Sequence, residues 1–352
     1  MTELMDASFN DFENRKKDHI RLALDSSTQA LSKSGFSKIK LIHQALPEIN
    51  FSDVSLKVKL LEHEYSSPHF VSSMTAGHEN SYKINLNLAR AATQNNWLMA
   101  VGSQRRELSD SGAIEEWKKI KAELPEISLV SNIGILEVLS HSANDILKLA
   151  ENIGAVGLFI HLNPLQELFQ SNTVVNFTGA LQAIEKLVNQ SKIPILIKEV
   201  GFGINKELSR KLFEVGVKIV DVSGNGGTHW GQIEALRQPK DSLIFKASDA
   251  FYDWGQTSVD CLLELQDENL FHQIWASGGV RNGVDSAKCL ALGARAVGIA
   301  QPLMRMAVEN EEVTSQMMQQ FDYQLKVAMF CTGIKKCEDF FHKKVWYGTE
   351  NN

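Results

Sequence analysis

Short runs of apolar, largely β-branched residues recur along the chain. Each is followed by a polar or glycine-rich turn, then by a stretch in which apolar positions return every three or four residues. The first kind of segment reads as strand and the second as amphipathic helix. Eight such units are present, with strands predicted at Phe70–Met74, Leu98–Gly102, Ser128–Asn132, Val156–His161, Pro194–Glu199, Lys218–Val222, Gln273–Ala276 and Ala296–Ala300. Ile84–Asn95 and Asp285–Leu292 are typical of the intervening helical stretches. Strands that are apolar almost throughout belong to a parallel sheet buried on both faces, and eight βα units close into a (β/α)8 TIM barrel. An open doubly wound sheet is the rival α/β architecture, but its G-x-G-x-x-G turn after the first strand is absent.

The first 65 residues lie outside the repeat and read as an N-terminal helix plus an extended segment capping the barrel. The division expected is therefore an extension over 1–65 and a barrel over 66–345. One connection, from Ser223 to about Leu270, is unusually long and contains Trp230 and Trp254. Long connections in compact domains are usually functional.

Polarity is concentrated immediately after the apolar runs. There stand Thr75-Ala76-Gly77, Ser103-Gln104-Arg105, Asn132-Ile133-Gly134, His161-Leu162-Asn163, Lys198-Glu199, Ser223 to Thr228, Ser277 to Arg281, and Gln301-Pro302. In a barrel these positions converge on the C-terminal face, where active sites are built. Gly278 and Gly279 let the backbone approach a ligand, and Arg281 adds a charge-assisted contact. Ala300 and Gln301 open a helix whose N-terminus favours an anion. Together these form the phosphate cradle of a seventh and eighth barrel loop, to which the turn Gly224 to Thr228 adds donors. If the phosphate is that of FMN, the flavin lies across the mouth among Thr75, Ser103, Asn132 and Lys198. Lys198 then stabilises negative charge on the N1–C2=O side of the reduced ring.

Charge and composition narrow the partners. Among 352 residues, 42 acidic and 36 basic side chains leave a net charge of −6 with no basic block, which argues against nucleic acid or an anionic membrane. No window reaches the eighteen or so apolar residues of a membrane span, and the stretch Met1 to Asp18 lacks a signal peptide's apolar core, so a cytoplasmic location is expected. Four cysteines without C-x-x-C pairing read as reduced structural thiols.

The motifs Arg15-Lys16-Lys17-Asp18-His19, Met74 to Gly77, Val101 to Arg105, His161 to Glu167, Lys198-Glu199, Ser223 to Trp230 and Ser277 to Arg281 resemble those of the type 2 isopentenyl-diphosphate isomerases, FMN-dependent (β/α)8 enzymes. The resemblance runs from Arg15 to about Cys337, and His161 to Glu167 is its most specific part. It departs at Ala76, where the family commonly has glycine. It implies conversion of isopentenyl diphosphate to dimethylallyl diphosphate in isoprenoid biosynthesis, with reduced FMN, NADPH or NADH as reductant, and Mg²⁺. By resemblance, Arg15, Lys16, Ser103, Arg105, His161 and Asn163 hold the diphosphate, Glu167 binds Mg²⁺ and Gln166 is the proton relay. Trp230 would wall the substrate's apolar end. Met74, Thr75, Ala76, Ser103, Asn132, Lys198, Ser223, Thr228, Gly278, Gly279, Arg281, Ala300 and Gln301 would contact FMN. A homo-oligomer, tetramer or octamer, is also implied.

Two rivals follow from the same residues. One is an FMN oxidoreductase acting on a small hydroxy acid or a dihydropyrimidine, which shares the flavin motifs but needs a base facing the flavin N5. The other is a barrel that binds a phosphorylated ligand without turning it over, which a flavin spectrum of the purified protein distinguishes from both enzymes.

Overall fold

The computed structural model describes residues 18–30, 34–74, 79–110, 112–170, 175–266 and 273–349. Eight strands form the closed barrel: β1 (His69–Val71), β2 (Leu98–Ala100), β3 (Leu129–Gly134), β4 (Gly157–Leu162), β5 (Ile195–Glu199), β6 (Ile219–Asp221), β7 (Ile274–Ala276) and β8 (Ala296–Ile299). Neighbours pair in parallel all the way round, β8 closing on β1 through Val297 opposite His69 and Gly298 opposite Phe70. All eight sequence-predicted strands are present, within one to three residues at their ends. The helix Glu79–Asn95 encloses the predicted Ile84–Asn95, and Gly283–Ala291 covers the predicted Asp285–Leu292 except its last residue, which caps the helix. The long connection after β6 differs from a plain loop. It carries helices Trp230–Leu236, Leu243–Ser248 and Ser258–Leu265, the first capped by His229 and the third by Thr257.

Alternation along the strands decides what faces the barrel axis. Phe70, Leu98, Ala100, Val130, Phe159, Leu196, Ile219, Trp275 and Ala296 form one buried interior cluster, and Val58, Leu60 and Tyr65 of the antiparallel hairpin Val58–Leu60/His63–Tyr65 join it as a plug. Two residues further along six of these strands, on the same inward face, come Asn132, His161, Lys198, Asp221, Ser277 and Gly298. The interior is therefore apolar below and polar at the mouth. The outward residues, such as Val71, Met99, Ile133, Ile160, Ile197, Val220 and Val297, pack in the cluster shared with the helices.

The ends of the chain brace this frame. Ile39–Leu41 pairs antiparallel with Trp346–Gly348, so the N-terminal segment and the last described strand form one two-stranded sheet. The long helix Glu311–Cys331 packs on Gly283–Ala291, where a side chain at Gly283 would collide with the Phe321 carbonyl. The four cysteines are free thiols, and burial pushes those of Cys261 and Cys337 up to about 12. Among the described residues, no helix is long and apolar enough to cross a membrane.

At the start of β1, the outward-facing His69 is fully buried against Trp97 and Phe321. Asp322 on the last helix accepts from Ser67 Oγ at 2.5 Å and Trp97 Nε1 at 3.0 Å and bonds His69 Nδ1 at 2.7 Å, pinning that helix to the barrel wall. Asp322→Ala strands several donors and is expected to destabilise the fold by about 2–4 kcal/mol in denaturant unfolding. An unchanged midpoint would show that the pin contributes nothing.

Candidate active site

The polar layer opens into a cleft at the C-terminal face. Its walls divide into two chemically different halves.

One half is built on β5 to β8. Lys198 and Asp221 are opposite each other in the β5–β6 register, and both are buried. Lys198 Nζ donates to the Glu199 carbonyl at 2.6 Å. Burial pulls the Lys198 ammonium below its ordinary range, while the Asp221 and Glu199 charges oppose the shift. Burial likewise raises the Asp221 carboxyl, against Lys198 and the hydroxyl of Ser277, which donates to Oδ1 and Oδ2 at 2.9 and 2.8 Å. Glu199 turns its Oε2 onto the backbone N–H groups of Val200, Gly201 and Phe202, and burial pushes its carboxyl up to about 7.

Above this charged floor two glycine turns interlock. Ser258 Oγ donates to the carbonyls of Ser277 and Gly278, and the Gly224 N–H donates to Ser258 Oγ. Gly278 and Gly279 have φ of +92° and +72°, and a Cβ at Gly278 would strike the Gly224 carbonyl. Ser223 adopts φ +39°, an unusual conformation for a residue with a side chain. Arg281 Nη2 donates to Gln29 Oε1 at 2.8 Å, and the helix Gln301–Ala307 begins without a side-chain cap.

The other half is built on the ends of β2 to β4 and the helices that follow. Arg105 Nε meets Glu137 Oε1 at 2.9 Å. His161 Nδ1 lies 3.0 Å from Asn132 Oδ1. Asn163 Nδ2 donates to Glu167 Oε1 at 2.8 Å and to Gln166 Oε1 at 3.1 Å. Gln166 Nε2 reaches Glu234 Oε1 at 3.4 Å, and the same oxygen is 2.8 Å from His19 Nε2. Arg237 Nη1 donates to Glu234 Oε2 at 2.8 Å. A chain of contacts thus runs His19, Glu234, Gln166, Asn163, Glu167. Burial raises the Glu167 carboxyl, as do the charges of Glu137 and Glu234. For Glu234 burial also pushes upward, but hydrogen bonds and charge from His19 and Arg237 prevail and hold it at about 2.

Met74, Ser103, Arg105, Asn132, His161, Asn163, Gln166, Glu167, Lys198, Ser223, Thr228, Trp230, Gly278, Gly279, Arg281, Ala300 and Gln301 all line this cleft. Arg15, Lys16, Thr75 and Ala76 lie outside the described residues. The sequence reading assigned no role to Glu137, Asp221 or Glu234, nor to His19 within its motif. Asp221 had a signal, being two residues beyond an inward Ile219. Glu234 had none, since its partner His19 is 215 positions away. His229 is structural: Nδ1 accepts from the Gln232 N–H and Nε2 donates to the Phe251 carbonyl.

The first half fits a flavin phosphate. Its glycine turns present backbone without side chains at Gly224, Gly227, Gly278 and Gly279, and the buried Lys198 lines the same cleft. The second half offers oxygen ligands without a closed metal cage. Asn163 Oδ1 is buried without a hydrogen-bond partner beside Glu167, and among the described residues no cluster of three His, Cys, Asp or Glu could hold a metal. That set suits Mg²⁺ shared with a substrate phosphate, which needs only one or two protein oxygens.

Residues 151–347 match the family model described as FMN-dependent dehydrogenase. The chain is 42% identical to the isopentenyl-diphosphate delta-isomerase of Bdellovibrio bacteriovorus, over 97% of this chain and 99% of that one. It is 41% identical to the Legionella pneumophila isomerase over 96% and 99% of the two chains, and 39% identical to that of Oceanobacillus iheyensis over 92% and 93%. Among solved structures it is similar to a flavocytochrome b2 variant with sulfite bound, with TM-score 0.68, 18% identity and coverage of 94% and 82%. A mandelate oxidase variant with (S)-mandelic acid gives TM-score 0.64, 15% identity and coverage of 96% and 94%. At these identities the structural likeness shows the fold.

The depressed Glu234 carboxyl has a consequence for stability. A carboxyl near 2 in the folded chain, against 4.5 unperturbed, contributes stability that is present above about 4.5 and is lost as pH falls toward 2. The contribution is about 3 kcal/mol. Glu234→Gln is expected to lose roughly that at neutral pH and to show a flatter stability profile between pH 4.5 and 2. Parallel profiles for the two proteins in urea unfolding would count against the pairing.

Proposed function

The chain belongs to the isopentenyl-diphosphate delta-isomerase family, and on that premise we propose that it converts isopentenyl diphosphate to dimethylallyl diphosphate with FMN as its cofactor. The observation that carries the reading is the near full-length similarity to curated isomerases, joined to a cleft with a flavin-compatible half and an anion- and cation-compatible half. A hydroxy-acid oxidoreductase on the same barrel rests on fold likeness at 15–19% identity and is the weaker alternative.

The reaction adds one proton to the terminal methylene carbon and removes one from the allylic carbon, so no electrons are gained or lost. When bound, reduced FMN supplies an electron-rich ring that can carry a proton and offset positive charge in the alkene. Arg15, Lys16, Ser103, Arg105, His161 and Asn163 are proposed to bind the diphosphate, with Arg forks and a hard cation matching its charge. Glu167 is proposed to hold Mg²⁺ and Trp230 to wall the apolar end. Gln166 is proposed as the chain's own proton relay. A neutral amide is a poor base, and support comes from its contact with Glu234, which orients it and links it to His19. Lys198 is proposed to face the flavin with positive charge. NADPH or NADH as reductant, assembly into a homo-oligomer and a cytoplasmic location complete the proposal.

The test is to incubate the protein with FMN, Mg²⁺, isopentenyl diphosphate and either NADPH or dithionite. The allylic isomer should form by NMR without stoichiometric nicotinamide consumption. Full turnover under air with oxidised flavin and no reductant would overturn the mechanism.

Two adjacent substitutions separate the roles assigned to the helix after β4. Glu167→Gln should raise the Mg²⁺ concentration needed for activity and leave FMN bound. Gln166→Leu should keep FMN and substrate affinity while turnover and deuterium uptake from D₂O fall together by about a hundredfold. An unchanged Mg²⁺ titration in the first, or near-normal turnover in the second, would refute the corresponding assignment.

A further inference from the structure

We propose that Gln104 is a positioning residue for the diphosphate half of the site, holding the Ser103–Arg105 turn in register with the Asn132–His161 pair. The inference rests on the reading that Arg105 and His161 hold the diphosphate. Gln104 opens the short 3-10 turn Gln104–Leu108 after β2 and is 1% exposed. Both ends of its amide are engaged. Nε2 donates to Glu107 Oε2 at 2.8 Å and to the Leu149 carbonyl at 3.4 Å. Oε1 accepts from Ser131 Oγ and, at 3.3 Å, from the Asn132 N–H. One side-chain oxygen therefore grips two consecutive residues of β3, the outward Ser131 and the inward Asn132.

What Asn132 does next carries the argument into the cleft. Its Oδ1 faces His161 Nδ1 at 3.0 Å. A carbonyl oxygen only accepts, so the imidazole proton facing Asn132 belongs on Nδ1, which fixes the ring's orientation at the cleft. On the other side, Arg105 is the residue after Gln104, and Glu137 fixes its Nε. Turning the Gln104 amide would thus move the arginine turn and release the asparagine that orients the histidine. The residue type is constrained by its neighbours. Leucine would satisfy none of the four partners, and glutamate would set a second carboxylate against half-buried Glu107, whose carboxyl desolvation already pushes up to about 7. An exchange of the two residues would restore one amide facing one carboxylate.

The test titrates FMN-loaded protein with inorganic pyrophosphate in the presence of Mg²⁺, by calorimetry, and measures FMN affinity separately by flavin fluorescence. Q104L and Q104E are each expected to weaken pyrophosphate binding by about tenfold, with FMN affinity held within about twofold. Adding E107Q to Q104E should bring pyrophosphate affinity back to within about threefold of the unaltered protein. Should Q104L fail to fold, the Q104E pair decides alone. R105A serves as the reference. Pyrophosphate binding unchanged in R105A would remove the diphosphate reading itself. Weakened binding in R105A but not in the Gln104 variants, parallel loss of FMN affinity, or no recovery in the exchange would overturn the positioning role.

Discussion

A carboxylate buried at the top of the barrel ties the cofactor half of this site together. Asp221 points inward from the end of β6, opposite Lys198 on β5, and receives the Ser277 hydroxyl from β7 through both of its oxygens. A charge so far from water persists only if it is paired and hydrogen-bonded. Each partner it recruits then performs a second task. Ser277 begins the Gly278-Gly279 turn, and its carbonyl accepts from Ser258, whose hydroxyl also receives the Gly224 N–H. Lys198 is kept at the mouth against the desolvation that would neutralise it. Because the barrel is closed, no strand edge can shift to relieve a mismatch, so the lysine and the glycine turns are set at a fixed separation.

The substrate half obeys a different electrostatic logic. Three buried carboxylates, Glu137, Glu167 and Glu234, face a region read as binding a trianion, which is unfavourable unless each is neutralised. Glu137 has Arg105, and Glu234 has His19 and Arg237. For Glu167, burial and the charges of Glu137 and Glu234 raise the carboxyl, while the Asn163 amide and the Arg105 charge oppose them. On the proposed reading, a divalent cation at Glu167 would add positive charge where burial and two neighbouring acids disfavour the carboxylate, and would give the diphosphate a counter-charge.

Much of this was legible in the chain. The strand count and the barrel follow from the eight nearly continuous apolar runs, and the polar mouth from the polar turns that follow them; the structure adds the alternation that sets which strand residues face inward. His161 and Lys198 were found because each stands at the end of an apolar run, and the structure places them on the inward face two residues beyond Phe159 and Leu196. The glycines after β6 and β7 announced a close backbone approach, and the structure shows the two turns approaching each other. What escaped was pairing at long range. Nothing near Glu234 signals that His19 will meet it, and Glu137 resembles any acid in the first turn of a helix until Arg105 is seen against it. The plug formed by Val58, Leu60 and Tyr65 was hidden because a short hairpin outside the repeat gives no indication of which end of the barrel it fills. The helices within Ser223 to Leu270 were masked by their brevity.

The two halves are joined by chain that precedes the barrel. Thr28 accepts from the His229 N–H at 2.8 Å, and the Ala30 N–H donates to Gly227 at 2.7 Å, so this segment lies against the turn read as a phosphate cradle. Eleven residues or fewer before these contacts, His19 bonds Glu234 and stacks edge-on against Trp230 at 5.3 Å. Gln29 closes the circuit, accepting from Arg281 while its amide nitrogen reaches the Ala23 carbonyl. The rigid strands thus supply the cofactor side, and a strap held mainly by backbone hydrogen bonds brings His19 to the substrate side. Backbone pairing tolerates changes of side chain along the strap, whereas Gln29 and His19, which act through their side chains, have no such latitude. On the proposed reading, the division would let a common barrel take a different substrate: β5 to β8 carry the flavin-compatible features, and the described residues proposed as substrate ligands stand at the ends of β2 to β4.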